Sequence, residues 1–144
     1  MAPVFEYELV VPDTVIDENN HVNNVAYVQW MQDVAIAHSN SVGGTQATQA
    51  VGATWVARSH KIEYLRPSFL GDRLRILTWI SDFRKARSKR NYRFLRAEDS
   101  LVLATGETDW VFVDMSTGRP RSVPESVSVC YELLDEADEQ RLLL

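Results

Sequence analysis

Four residues with chemistry to offer, Asp17, His21, Asn23 and Asn24, fall within the short stretch Asp17-Glu18-Asn19-Asn20-His21-Val22-Asn23-Asn24. A carboxylate can attack an activated acyl carbon, or deprotonate a water that does so. Directly after it the sequence turns helical, and the first turn of a helix carries backbone amides without internal partners at the positive end of the helix dipole. Such an amide can stabilise charge growing on a carbonyl oxygen, worth roughly 3 to 4 kcal/mol where comparable donors have been removed from other enzymes. Hydrolysis of a thioester requires both parts. His21 reads equally as a general base, a substrate contact or a residue that only hydrogen-bonds locally. Asn23 and Asn24 read also as helix caps, a role compatible with shaping the amide that meets the oxyanion.

The element that must hold this stretch runs from Asn24 to about Ser41, without Pro or Gly, and repeats apolar residues at Tyr27, Trp30, Met31, Val34 and Ala37. Spacings of three and four predict a helix, capped by Asn23 or Asn24 and ended by Gly43-Gly44. Upstream, Phe5 to Val11 predicts a strand broken by Pro12-Asp13. Downstream, strands are expected over Thr54–Leu65, Arg73–Asp82, Lys89–Ala97 and Leu101–Asp114, with a basic connection between the second and third of these. Leu74, Ile76, Thr78 and Ile80 alternate with Arg73, Arg75, Leu77 and Trp79, so the outer side of that strand also carries apolar residues, expected to form a subunit contact. One long helix followed by consecutive antiparallel strands is an α+β pattern rather than a βαβ one. A stripe this wide must be covered on several sides, and a curved sheet wrapped around the helix does that. From about residue 124 the chain predicts a short acidic helix or a loose tail, and residues 1–144 are expected to form one domain.

Asp17-x-x-x-His21-Val22-Asn23-Asn24-x-x-Tyr27 resembles the signature of the 4-hydroxybenzoyl-CoA thioesterase family, which includes bacterial long-chain acyl-CoA thioesterases and plant acyl-ACP thioesterases. Lys61-Ile62-Glu63-Tyr64-Leu65-Arg66-Pro67, followed by Gly71-Asp72-Arg73-Leu74, is similar to the family's second strand and the turn after it, so the resemblance extends from Phe5 to about Asp114. It implies a hotdog fold, in which a five-stranded antiparallel sheet wraps the long helix. It further implies a homodimer that joins two sheets edge to edge, or a homotetramer, with active sites at the dimer interface. Acyl-CoA or acyl-carrier protein would be the substrate, with no cofactor. The resemblance makes Asp17 the catalytic carboxylate and the amide of Asn24 the group that polarises the thioester carbonyl. The plant enzymes also show Asp-x-Asn-x-His, present here as Asp17, Asn19 and His21, but follow the next strand's Glu-Tyr with Glu-Cys where this chain has Pro67-Ser68. That departure leaves the carboxylate, not a cysteine, as the expected reactive group.

Asn19 and Tyr27 are substrate-binding candidates beside the motif, although Tyr27 is most simply a core residue. The run Arg84, Lys85, Arg87, Lys89 and Arg90 contains no acid. Read plainly it is a solvated strand end; read functionally, Lys85, Arg87 and Lys89 with Ser88 suit the phosphates of CoA or of a phosphopantetheine arm. Arg58 and Ser59 are weaker candidates for the same role. His38 and His60 lack the spacing of a metal site, so no metal is expected. Cys130 is a lone cysteine without a nucleophile signature, and no G-x-S-x-G elbow surrounds Ser59, Ser68 or Ser88. A net charge of −5 argues against a nucleic-acid surface. No window approaches the ~18 to 20 apolar residues of a membrane span, and MAPVFEYELVV lacks a signal-peptide pattern, so a soluble, cytoplasmic protein is expected. Two other readings fit the same residues. One is a hotdog dehydratase or hydratase centred on His21 and Asp17; the other is a non-catalytic acyl-CoA-binding protein indifferent to Asp17→Asn.

Overall fold

Helix α1 spans Asn24–Ser41, with the expected bounds, in a computed structural model that describes residues 3–142. Its buried residues, Ala26, Tyr27, Trp30, Met31, Val34, Ala35 and His38, lie on one face at helical spacing. Burial of each large apolar side chain on that face contributes roughly 1.5 to 3 kcal/mol before the entropy of ordering it. Asn23 caps the start, its Oδ1 accepting from Ala26 N at 2.8 Å. Gly43, at φ 81°, ends the helix in the left-handed conformation that an L side chain adopts only with strain.

The sheet that covers this face contains β1 (Phe5–Val10), β2 (Ala53–Tyr64), β3 (Arg73–Arg84), β4 (Arg87–Arg96) and β5 (Val102–Asp114). All pairings are antiparallel, in the order β1-β3-β4-β5-β2. The α+β hotdog arrangement implied by the motif is the one observed. Leu74 and Ile76 of β3, Tyr92 and Phe94 of β4, and Leu103 and Ala104 of β5 pack on the helix stripe. Gly106 of β5 permits a close approach, because a Cβ there would meet the Met31 thioether at 3.2 Å.

Three features differ from the sequence expectation. The basic segment is not a loop: β3 continues to Arg84, β4 begins at Arg87, and Lys85-Ala86 is a two-residue turn with Lys85 at φ 53°. Two-residue hairpins need positive φ and usually signal it with Asn-Gly or Asp-Gly, a cue this turn lacks. A further helix, α2 (Gly44–Ala50), follows α1, hidden from propensity by its Gly and Thr content. The outer face of β3 is covered by the chain itself rather than left for a subunit contact. Leu77, Trp79 and Leu95 pack with Leu134, joined by Leu142. Leu134 N donates to Ile80 O at 3.1 Å. The C-terminal segment holds two short helices, α3 (Glu125–Ser128) and α4 (Glu136–Leu142). Among the described residues no helix is long and apolar enough to cross a membrane.

Candidate active site

The loop before α1 is built around the carboxylate of Asp17. Its Oδ1 accepts from Asn19 N at 2.9 Å and from His21 N at 3.1 Å. The backbone closes the same turn, with Asp17 N donating to His21 O at 2.8 Å and Asn20 N to Asp17 O at 3.0 Å. Asn20 takes φ 62°, a conformation that Asn tolerates better than most residues. Oδ2 of Asp17 has no partner among the described residues, so one carboxylate oxygen is fixed and the other is free.

The loop is fastened on two sides. Asn23 Nδ2 donates to Val15 O at 3.0 Å while Oδ1 caps the helix, so this side chain is fully occupied in shaping the turn. Val22 N donates to Ser68 O at 2.9 Å, and Ser68 Oγ shares a 2.6 Å hydrogen bond with Tyr27 Oη. Tyr27 is 3% exposed, edge-on to Trp30, Tyr64 and Phe94, and burial raises the pKa of its hydroxyl. It supports the loop from the core. Asn24 opens the first turn of α1, and its amide has no partner among the described residues. His21 is half-buried, its ring edge-on to Phe69 at 5.3 Å, and Asn19 is exposed. Asp17, His21, Asn23, Asn24 and Tyr27 are thus brought together as their spacing predicts.

Residues 10–130 match the thioesterase-like superfamily. The chain belongs to this superfamily. No curated protein sequence matches it. Its fold is shared with a 1,4-dihydroxy-2-naphthoyl-CoA thioesterase from Synechocystis, at TM-score 0.79 and 21% identity over 88% of this chain and 94% of that one. A Staphylococcus aureus hypothetical protein, solved in complex with CoA, superposes at TM-score 0.81 with 24% identity, covering 88% and 80% of the two chains. The probable thioesterase YbaW from Escherichia coli gives TM-score 0.80 and 18% identity over 87% and 94%.

In this thioesterase-like chain the basic residues separate. Ser88 is buried and donates to Asp82 O at 3.0 Å. Its neighbours Arg87 and Lys89 point to the other side of the sheet, since successive strand residues alternate faces. There Arg87 pairs with Asp109, Nε to Oδ1 at 3.3 Å, and Lys89 with Glu107 at 3.2 Å. Ser88 therefore shares no anion with them. Lys85 is exposed on the turn, and Arg58 and Ser59 are exposed at a bulge in β2.

A cavity of about 640 Å³ opens between α2, the second half of α1 and the sheet, lined by Ala35, Trp55, Phe83, Arg90, Trp110 and Tyr131 among others. Arg90 is 4% exposed, with Nη1 donating to His38 Nδ1 at 2.8 Å and to Thr78 Oγ1 at 3.1 Å. Burial, and then the adjacent guanidinium, lower the His38 pKa to about 4, so the ring is neutral and free to accept. Neither sequence reading of the basic run, solvated strand end or phosphate site, predicts a buried Arg90; its phase does, since it shares the core face of β4 with Tyr92 and Phe94.

Proposed function

We propose that this chain hydrolyses acyl-CoA thioesters, with Asp17 supplying the carboxylate. The observation that carries the reading is a half-buried Asp17 held, among the described residues, through Oδ1 alone and beside an amide at the start of α1 that none of them bonds. The thioester carbonyl accepts from the Asn24 amide, and the free Asp17 oxygen acts on the carbonyl carbon directly or through a water. By direct attack the C–S bond breaks, the thiolate leaves and takes a proton, and water cleaves the resulting anhydride. By the water route the acid forms in one displacement. Either way thioester plus water gives a carboxylic acid and a thiol, and oxygen-18 from water entering Asp17 distinguishes the two. The Asp17-to-Tyr27 motif supports the finer placement with the 4-hydroxybenzoyl-CoA type.

A homodimer completes the site in this reading. β2 is a twelve-residue edge strand, exposed from Val56 to Ser59, and an open edge of that length is a template for pairing. Antiparallel pairing with a second copy about a two-fold axis sets the Tyr64 end of one β2 beside the Trp55 end of the other. Tyr64 is bonded to Asn24, while Trp55, Val56 and Ala57 line the cavity. Pairing therefore brings the Asp17 loop of one protomer to the mouth of its partner's cavity, which receives the acyl group.

The test is thiol release from acyl-CoAs running from acetyl to palmitoyl, with benzoyl added, comparing wild type with Asp17→Asn. Turnover that falls by at least a thousandfold in the variant supports the reading. Equal turnover in both sinks it, and silence on every CoA ester directs the assay to acyl-carrier proteins.

A further inference from the structure

Arg90 is a buried cation without a buried anion. Its only hydrogen-bond partners among the described residues are the neutral His38 ring and the Thr78 hydroxyl, both on Nη1. Burial disfavours its charged form, and the groups that offset this are the side chains of Tyr92 and Tyr131 rather than a carboxylate. Burial of an uncompensated guanidinium is costly, and such groups are ordinarily paired. Nε and Nη2 have no partner among the described residues, yet they are not sealed off as Arg93 Nε is. Arg90 lines the cavity, and with Nη1 engaged these two donors are the ones left for a ligand there.

The rest of the wall is largely apolar, from Ala35, Trp55, Ile80, Phe83 and Trp110. Thr48 also stands in this wall. A volume of about 640 Å³ falls in the range of small-molecule sites, which combine apolar walls with a few placed polar groups. The Nε–Nη2 edge of a guanidinium is a two-pronged fork whose spacing matches the two oxygens of a carboxylate. A neutral methyl-ended chain would leave that fork desolvated and empty, whereas a carboxylate-ended one would fill it.

We infer that Arg90 is the specificity-determining residue of this cavity, which receives an apolar chain ending in a carboxylate and seats that carboxylate on the Nε–Nη2 edge. This rests on the thioesterase reading for its catalytic meaning: the preferred substrate is the thioester of a dicarboxylic acid, its free carboxylate at Arg90 and its thioester at the partner protomer's Asp17 loop. The binding site itself does not depend on turnover.

Two measurements separate these claims. Trp55 and Trp110 line the cavity, so tryptophan fluorescence follows its occupation. Wild type is titrated with monomethyl suberate and with dimethyl suberate, nearly equal in shape but differing by one negative charge. The monoanion is expected to bind at least tenfold tighter, and in Arg90→Met the difference disappears. Should Arg90→Met fail to fold, the wild-type comparison alone decides, because equal binding of the two esters overturns the inference. Thiol release from adipoyl-CoA and hexanoyl-CoA then tests the substrate class, with kcat/KM expected to favour adipoyl-CoA at least tenfold. A preference for hexanoyl-CoA would overturn the inference and leave the thioesterase reading standing. Tight monoanion binding with no thiol release from any thioester would do the reverse.

Discussion

Tyr64 Oη donates to the carbonyl of Asn24 across 2.8 Å, tying the far end of edge strand β2 to the first turn of α1. Tyr64 is 42% exposed, so the bond adds little to stability, but it helps fix the peptide that follows the proposed oxyanion donor. Tyr64→Phe is therefore expected to lower kcat several-fold, with KM and the melting temperature nearly unchanged. Steady-state kinetics beside a thermal melt checks this; a KM effect alone would assign Tyr64 to substrate binding.

Replacements of Asp17 should separate architecture from chemistry. Asn keeps an acceptor for the amides of Asn19 and His21, whereas Ala leaves both without one. Asp17→Ala should cost about 1 to 2 kcal/mol in urea unfolding, and Asp17→Asn close to nothing, while both abolish turnover. Retained activity in the stable Asn variant would remove Asp17 from the mechanism.

Asn23 is expected to matter through stability alone. Asn23→Ala loses the cap on Ala26 N and the donor to Val15 O, costing roughly 1 to 2 kcal/mol and a few degrees of melting temperature. Activity measured well below the melt should change far less than in Asp17→Asn.

His38 predicts a pH dependence of stability. In the fold its pKa is lowered from 6.5 to about 4, so between those values the unfolded chain binds the proton and the folded chain does not. Stability is full above pH 6.5 and is lost as pH falls toward about 4, by up to ~1.4 kcal/mol per pH unit at the steepest. His38→Asn keeps an acceptor for Arg90 but cannot titrate, and should flatten this limb. Urea unfolding at pH 7 and pH 5 measures it; identical slopes in the two proteins would refute the assignment.

Gly44 sets helix propensity against packing. Ala is the better helix former by about 1 kcal/mol, but a Cβ at Gly44 would lie 2.1 Å from Tyr131 Oη and 3.0 Å from Ser39 Oγ. Relieving that overlap means moving Tyr131 or α2, at roughly 1 to 3 kcal/mol. Gly44→Ala should lower the melting temperature, and a rise would show that the Tyr131 contact yields freely.

The sequence by itself determined what rests on short-range patterns. The stripe from Tyr27 to Ala37 specifies α1, and Asp17 to Asn24 specifies a turn whose hydrogen bonds join residues two to four apart, so the motif and its geometry are legible together. The α+β class followed from the order of elements. Only the tertiary structure decided which side chains share a face or a cavity. Ser88 and Arg87 are neighbours in sequence and opposed in space, because the sheet alternates. Leu77 and Trp79 lie under Leu134 because the C-terminal segment returns to β3. His38 and Arg90 are 52 residues apart, and only the seating of α1 on β4 makes one the partner of the other. Local patterns set which face a residue occupies, whereas a buried charge acquires its partner only when the elements pack.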